Sequence, residues 1–288
     1  MNKQTVVGVD LGGTNVRAGK ISGRKITARC ARPITALGSQ DQVLQEVCQT
    51  IAAVFDHRVI AIGIGVPSLV DAEKGIVYAV GNIPSWREVP LREHLQNTFN
   101  VPVHVNNDAN CFALGEFRFG AGRGFRNLVG MILGTGLGAG IIMDGELRCG
   151  RHCGAGEIGK IPYREHNVEY YSSGQFFQHQ FGMDGGVLYE RAREGNSQAL
   201  EMFETFGENL GDAVMIALYA FDPEIIVLGG SVSRAWPFFE KAMRRKFASF
   251  AYPHALARTV IQPAQTPDIS LLGAAALCLS VDTSISRT

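Results

Sequence analysis

Two glycine-rich turns are the segments of this 288-residue chain best suited to bind phosphate. One spans residues 12–14 and the other residues 134–136, and each follows an apolar run that ends in leucine. Glycine has no side chain, so backbone N–H groups in such turns can approach phosphate oxygens. The pair of turns predicts a site for a nucleoside triphosphate, in which the residues of the first turn that would face phosphate are Gly12, Gly13 and Thr14.

Two aspartates could supply the rest of the chemistry of phosphoryl transfer. Asp10 precedes the first turn, where its carboxylate could hold Mg²⁺ directly or through water, and an ordinary Asx-turn explains an aspartate there equally well. Asp108 follows a short apolar run and begins a helical pattern, where an N-cap is its ordinary role. As a functional residue, it would be a general base that takes a proton from a substrate hydroxyl. Together these residue types fit a phosphotransferase.

The second turn also fits, by letter, the G-x-G-x-x-G/A pattern of dinucleotide-binding folds. That pattern should open a helix, whereas residues 141–145 (I-I-M-D-G) continue as a strand into another turn. The sequence contains no G-x-x-x-x-G-K-[ST], so a P-loop is excluded. We therefore expect the second turn to face phosphate like the first. The alternative is a hairpin whose glycines serve close packing.

The elements that position these residues alternate between strands and helices, which predicts an α/β fold. Apolar runs and turn residues predict strands over 5–18, 26–33, 60–66, 101–105, 128–141, 224–228 and 260–263. Apolar spacing and capping residues predict helices over 39–57, 91–99, 108–119, 198–221, 238–250 and 271–279.

The same hairpin motif occurs twice in the chain, 122 positions apart. At this offset Gly12 aligns with Gly134, but Asp10 aligns with Ile132, so only the first hairpin offers a carboxylate for Mg²⁺. The duplication predicts two related lobes that join near residue 107. The expected lobes are a small one, 1–107 completed by 271–288, and a larger one, 108–270.

Charge and cysteine content exclude several classes of protein. The 27 basic and 27 acidic side chains balance, so the sequence predicts no cationic face for nucleic acid. No basic and apolar leader opens the chain, and its longest uncharged apolar stretch, 128–143, is too short to span a bilayer as a helix. We expect a cytoplasmic protein without nucleic-acid or membrane partners, whose six cysteines are free thiols.

Several short motifs, in their order along the chain, resemble the ROK family of bacterial sugar kinases. That family has the two-lobed, actin-like (ribonuclease H-like) ATPase fold, which hexokinases and heat-shock chaperone ATPases share. The motifs cover nearly the whole chain and are specific as a set. They are D-L-G-G-T-N from Asp10, G-I-G-V-P-S from Gly63, G-N-I-P-S-W from Gly81, N-N-D-A-N from Asn106, L-G-T-G-L-G-A-G from Leu133, G-A-G-E-I-G-K from Gly154, E-Y-Y-S-S-G from Glu169 and V-L-G-G-S-V from Val227.

The resemblance implies an ATP- and Mg²⁺-dependent kinase that phosphorylates the primary hydroxyl of a hexose, in a homodimer. Glucose is the default substrate, while kinases for N-acetylmannosamine, N-acetylglucosamine, fructose and allose share the same frame. By resemblance, Asp108 is the catalytic base and Asp10 lies near Mg²⁺. The resemblance also assigns the sugar to Asn82, Asn107, Asp108, Glu157 and Glu169, the phosphates to Gly12, Gly13, Thr14, Thr135 and Gly136, and the adenosine to Gly229 and Gly230. Ser68 and Lys160, whose ammonium could donate to a sugar hydroxyl, are further candidates for the sugar site.

Three positions depart from the family pattern. Lys160 replaces a histidine that ordinarily binds both sugar and a structural zinc, and the cysteines of the family's zinc loop are absent between Lys160 and Glu169. Asn15 replaces a lysine of many relatives. We predict no zinc at this loop, because protonated lysine is a poor metal ligand. A replacement site built from the nearby metal-capable residues is disfavoured, because they lack a C-x-x-C pair: Cys149, His152, Cys153 and His166.

Two functions of another class compete with catalysis. Part of the family regulates transcription, but such members need an N-terminal DNA-binding module of about 60 residues. Here the first hairpin begins by Thr5. A catalytically silent sugar sensor is the second alternative, which Lys160 favours and which the retained Asp10, Asp108 and phosphate turns oppose.

Overall fold

The computed structural model describes residues 4–279, and these form two compact units. Among the described residues, unit 1 comprises 4–123, Leu147–Ala155 and 266–279, and unit 2 comprises Gly124–Glu146 and Gly156–Gln265. No helix in this part of the chain is both long and apolar enough to cross a membrane.

Strands and helices alternate along the chain at most of the predicted places, although the helix expected over 39–57 ends at Ala52 and the helices between residues 168 and 193 were not predicted. The first part contains β1 (Thr5–Leu11), β2 (Asn15–Ser22), β3 (Lys25–Pro33), α1 (Gln40–Ala52), β4 (Val59–Val66), β5 (Leu69–Asp71), β6 (Ile76–Tyr78), β7 (Glu88–Val89), α2 (Leu91–Phe99), β8 (Val103–Asn107) and α3 (Asp108–Phe119). The second part contains β9 (Leu128–Leu133), β10 (Leu137–Met143), β11 (Glu146–Leu147), β12 (Pro162–Tyr163), β13 (His166–Asn167), α4 (Val168–Ser172), α5 (Gln175–Phe181), α6 (Gly185–Arg193), α7 (Ser197–Phe221), β14 (Ile225–Gly229), α8 (Trp236–Lys246), α9 (Pro253–Leu256), β15 (Val260–Pro263) and α10 (Ile269–Ala276).

Two five-stranded sheets show the predicted duplication. Their strand orders are β3-β2-β1-β4-β8 and β11-β10-β9-β14-β15, so each combines an antiparallel hairpin and an outer strand beside it with two parallel strands. The hairpins differ at the turn, since Leu11 pairs with Val16 but Leu133 pairs with Leu137. Residues 12–15 lie between the paired residues of the first hairpin but only 134–136 between those of the second, so the offset of 122 does not hold across the turn.

Glycine residues, which have no side chain, let helix α10 pack directly against the first sheet. A Cβ at Gly63 would overlap the carbonyl oxygen of Ala274, and one at Gly273 would overlap the carbonyl oxygen of Cys111 in α3. Helices α3 and α10 therefore pack backbone to backbone, which is why α3 lies in unit 1. The boundary expected near residue 107 falls inside this unit. Of the closing segment 271–288, residues 280–288 lie outside the described part of the chain.

Aromatic side chains fill the core of unit 2 around the long helix α7. Phe177 contacts Phe203 and Phe206, with ring centroids 4.9 and 5.2 Å apart, and all three rings are buried. The helix ends at Phe221, and Asp222 takes a left-handed conformation (φ 43°) before a proline. A proline cannot continue the helix, so the predicted end of this helix is confirmed.

Glu116 is a buried carboxyl of α3 and lies outside the candidate site. Its Oε2 accepts a hydrogen bond from the Ala121 amide at 2.8 Å, and its Oε1 has no hydrogen-bond partner among the described residues. Burial raises the pKa of this carboxyl above its ordinary value. Ionised Glu116 is therefore a cost to the folded state.

We expect Glu116→Gln to reduce the loss of stability toward higher pH. The pKa of Glu116 is higher in the folded protein than in the unfolded chain. Its contribution to the free energy of unfolding is therefore complete below the unfolded-state pKa of about 4.3 and is lost as pH rises through the folded-state pKa. A neutral amide has no such loss. The slope of unfolding free energy against pH, from urea titrations, should therefore be shallower in Glu116→Gln. It should stay unchanged in the exposed control Glu93→Gln, and equal slopes in Glu116→Gln and the wild type would contradict the expectation.

Candidate active site

Asp108 is the first residue of α3, directly after strand β8. The side chain of Asn107 caps this helix, since its Oδ1 accepts hydrogen bonds from the amides of Ala109 (2.9 Å) and Asn110 (3.3 Å). The expectation of an N-cap at residue 108 is therefore corrected by one position. The Asp108 Oδ1 accepts from the Ala109 amide at 2.8 Å, so the carboxylate is held in place without being needed as the cap.

Asparagine side chains fix the backbone on both sides of Asp108. The Oδ1 of Asn106 accepts from the Asn107 amide (2.8 Å) and from Nδ2 of Asn110 (3.0 Å), and all three asparagines are buried. Nδ2 of Asn107 donates to the Ser68 carbonyl at 3.3 Å. The Ser68 hydroxyl donates to carbonyls of the 78–79 segment. A network with most partners satisfied holds Asp108 rigidly.

The first glycine turn carries its own charge and amide groups. The Gly12 amide donates to the Asn15 carbonyl at 2.8 Å, and Asp10 forms an ion pair with Arg17 across the hairpin. A Cβ at Gly13 would lie 2.8 Å from Nδ2 of Asn82, so the Asn82 side chain is packed against the turn. The structure brings these predicted residues together within unit 1.

The second glycine turn contacts Glu169 at the start of α4. One Glu169 oxygen, Oε2, accepts from the Leu137 amide at 3.0 Å, and the other, Oε1, pairs with Nζ of Lys160 at 2.7 Å. A Cβ at Gly136 would lie 2.5 Å from Glu169 Oε2. The Lys160 side chain is 60% exposed and that of Glu169 only 16%. Both carboxylate oxygens of Glu169 therefore have partners within the chain.

Glu157 completes an acidic pair with Glu169 near Lys160. Burial is the main cause that raises the pKa of Glu157; Lys160 opposes that rise, and the charge of Glu169 adds to it. Glu157 precedes a short 3₁₀ helix, Ile158–Lys160, that carries the lysine. The Glu169 carboxylate, held by its partners, and the neighbouring Glu157 carboxylate can accept hydrogen bonds from ligand hydroxyl groups.

A cavity of about 420 Å³ opens beside the second glycine turn within unit 2. Gly229 ends strand β14, and Gly230 has a positive φ of 88° with its Cβ position against the carbonyl oxygen of Leu133. The cavity lining includes Thr135. It does not include Gly229 or Gly230; the first lining residue after them in the chain is Ser231. Sequence reasoning missed most of the lining, which includes Gln175, Gln178, Asp184, Tyr189, Ser231 and Arg234. The D-G-G run at 184–186, where Asp184 caps α6, was the available signal.

Comparison with known proteins decides the family. The ROK family model matches residues 6–281. This chain belongs to the ROK family. It is 31% identical to a glucokinase of Thermotoga maritima, over 96% of this chain and 98% of that protein. It is 30% identical to an N-acetyl-D-glucosamine kinase of Vibrio cholerae, over 83% of this chain and 88% of that protein.

The fold is confirmed by a ROK family glucokinase of Streptomyces griseus, solved in complex with glucose and AMPPNP. Its TM-score to this chain is 0.83 at 29% identity, with 95% of this chain and 98% of that one covered. The motif resemblance and the expected actin-like fold of the ROK family are thus both shown.

A short hairpin, β12–β13, stands where the ROK family resemblance implies a zinc loop. Asp212 accepts a hydrogen bond from the Tyr163 hydroxyl and pairs with Lys246 (3.2 Å) and Arg164 (3.6 Å). The Arg164 guanidinium lies 4.8 Å from the centroid of the Tyr163 ring. Among residues 4–279, no group of three or more His, Cys, Asp or Glu is placed to hold a metal ion. The residues present do not fit a structural zinc.

We expect chelation to leave the thermal midpoint of the protein unchanged, because Asp212 and its partners connect this hairpin to α7 and α8 without a metal.

Asp212→Asn removes the charge that pairs with two cations and should lower the midpoint by about 2–4 °C, equivalent to about 1 kcal/mol. Differential scanning calorimetry and metal analysis of the purified protein test both points. Stoichiometric zinc, or a midpoint that falls on chelation, would contradict the expectation.

Proposed function

We propose that this ROK family chain is an ATP-dependent kinase that phosphorylates the primary hydroxyl of a hexose, with glucose as the default substrate. The observation that carries the proposal is Asp108, a carboxylate fixed at a helix start that Asn107 already caps. The near full-length likeness to a glucokinase, at 31% identity, supports the same activity.

Asp108 would accept the proton of the sugar hydroxyl as that oxygen attacks the γ-phosphorus of ATP. Phosphoryl transfer requires mainly positioning and charge stabilisation, so one well-placed carboxylate suffices as the base. Backbone amides of the two glycine turns, together with Thr14 and Thr135, would stabilise negative charge on the phosphates. The cavity beside Thr135 has the size of a small-molecule site and suits the nucleoside.

Mg²⁺ fits the first turn through a single carboxylate. It usually binds one or two protein carboxylates together with substrate phosphates, and Asp10 offers one on β1. Asp10 would hold Mg²⁺, which supplies charge neutralisation on the phosphates when bound. Because Arg17 already pairs with Asp10, the arginine would orient this carboxylate and moderate its charge.

Sugar recognition would use carboxylate, ammonium and amide side chains. Glu157 and Glu169 of unit 2 are acceptors for sugar hydroxyls, and Lys160 is a donor. In unit 1, Asn82 and Asn107 would contribute amide groups. Since the Ser68 hydroxyl proton is donated to backbone carbonyls, this oxygen would act toward sugar as an acceptor.

An N-acetylhexosamine is the second candidate substrate. The 30% identity to an N-acetyl-D-glucosamine kinase over 83% of this chain favours it. Lys160 lies beside the residues proposed to bind hydroxyl groups, so substrate preference is the property that it would change first.

An ADP-release assay with ATP, Mg²⁺ and a panel of hexoses tests the proposal. The panel should contain glucose, mannose, fructose, allose, N-acetylglucosamine and N-acetylmannosamine. We expect saturable turnover with at least one sugar, glucose first, and a product phosphorylated at its primary hydroxyl by NMR. Specific binding of a sugar without any ADP release would instead support the silent sensor.

A further inference from the structure

The Leu147–Ala155 loop of unit 1 carries two cysteines, four residues apart, whose side chains pack against the same hydrophobic core. Cys149 is half-buried and Cys153 is fully buried. The Ala155 amide donates to the Cys149 carbonyl at 3.0 Å, which closes the loop. The backbone thus holds both cysteines in one closed loop, and neither has a part in the proposed kinase chemistry.

Asparagine side chains connect this thiol pair to the segment that carries Asp108. Nδ2 of Asn106 donates to Sγ of Cys149 at 3.3 Å, and Nδ2 of Asn110 donates to the carbonyl of Cys153 at 3.2 Å. The same two asparagines hydrogen-bond to each other at 3.0 Å. A change at either cysteine would therefore reach the start of α3.

The environment gives the two thiols different roles. A hydrogen bond from Cys153 lowers the pKa of Cys149 to about 7 against the effect of burial, and Asn106 assists. The same hydrogen bond, together with burial, raises the pKa of Cys153. Cys149 is the thiol that ionises, and Cys153 is the donor that stabilises the thiolate. A low-pKa thiolate beside a second thiol is the arrangement of a reversibly oxidised pair.

We propose that Cys149 is a peroxide-reactive thiol and that its oxidation ends in a reversible disulfide with Cys153. The Cys149 thiolate attacks one peroxide oxygen, so that an S–O bond forms, the O–O bond breaks and the released hydroxide takes a proton from solvent. Sulfur is oxidised to sulfenic acid and the peroxide is reduced to water. Cys153 sulfur then attacks Cys149 sulfur. An S–S bond forms, the S–O bond breaks, and hydroxide leaves as water with the Cys153 proton.

Formation of the disulfide lowers turnover, and this consequence rests on the proposed kinase function. A sulfur in a disulfide has lost the thiolate charge that accepts the Asn106 amide hydrogen. Asn106 also supports the Asn107 amide at 2.8 Å, next to the proposed base. Because small displacements of a catalytic group cost up to about a hundredfold in rate, we expect the oxidised protein to turn over at least about fivefold more slowly.

Hydrogen peroxide treatment of the full chain, followed by peptide mass spectrometry, tests the chemistry without an activity assay. We expect a peptide linkage between Cys149 and Cys153 with the loss of two hydrogen atoms, reversed by dithiothreitol. In Cys153→Ser, dimedone should trap a sulfenic acid at Cys149. Iodoacetamide at pH 7 should modify Cys149 about threefold faster than an ordinary thiol, because its larger thiolate fraction outweighs its lower nucleophilicity.

The matched control is Cys30→Ser, which removes a partly exposed thiol of β3. Cys30→Ser should form the disulfide and lose activity on oxidation as the wild type does, whereas Cys149→Ser should do neither.

Free thiols at both positions after oxidation, or a linkage to any other cysteine, would overturn the proposal. An oxidised protein at full turnover would overturn the regulatory step. Absence of kinase activity in the reduced protein would refute only the proposed function, since the disulfide is read by mass.

Discussion

Asp108→Asn is expected to lower kcat at least about a hundredfold while the protein stays folded. Asparagine keeps the size of the side chain and the oxygen that accepts the Ala109 amide at 2.8 Å, and Asn107 still caps the helix. The amide cannot take a proton from a hydroxyl at neutral pH. Because the lost interaction belongs to the transition state, kcat should fall more than KM changes. Steady-state ADP release with the best sugar of the panel measures both.

Asp41→Asn is the matched control for this variant. Asp41 lies in the first turn of α1, which Ser39 caps, so both substitutions remove a carboxylate from a capped helix start. Each should lose a helix-dipole interaction of about 0.3–1 kcal/mol, but only Asp108→Asn should lose turnover. Near-normal kcat in a folded Asp108→Asn protein would refute the assignment of the base.

Local sequence signals were sufficient for the elements that carry the site. Ser39 accepts the Gln42 amide at 3.2 Å, as its capping position predicts. Helix α2 has the predicted bounds, Leu91–Phe99, and the paired hairpins form the predicted duplicated sheets. In these elements the apolar period and the turn residues lie within a few positions of one another, so short-range patterns fix the outcome.

Contacts between distant segments were beyond the reach of those signals. The close packing of α3 against α10 depends on Gly115 and Gly273, which are far apart in the chain. The three-stranded sheet β5-β6-β7 uses strands of only two or three residues, too short to show a period. The cavity lining comes from four segments of unit 2. The pairing of Lys160 with Glu169 depends on where α4 begins, which no residue period revealed.

Lys160→Met is expected to raise KM for the sugar about five- to tenfold, with a smaller change in kcat. The ammonium holds one oxygen of Glu169 while the Leu137 amide holds the other, so Lys160 is a positioning residue as well as a donor. Loss of one charged hydrogen-bond partner costs about 1.5–3 kcal/mol when it is buried. The 60% exposure of Lys160 reduces that to about 1 kcal/mol.

The pH dependence of KM distinguishes this role from simple packing. Lys160 lowers the pKa of Glu157, whereas burial and Glu169 raise it. Without the lysine the pKa of Glu157 should rise further, so protonation would weaken sugar binding from a higher pH downward. The acid limb of the kcat/KM profile should therefore move to higher pH in Lys160→Met. It should lie at its wild-type position in Lys160→Arg and in the exposed control Lys241→Met. An unmoved acid limb with KM within twofold of wild type would show that Glu169 needs no cation, and that the family histidine was replaced here without consequence for sugar binding.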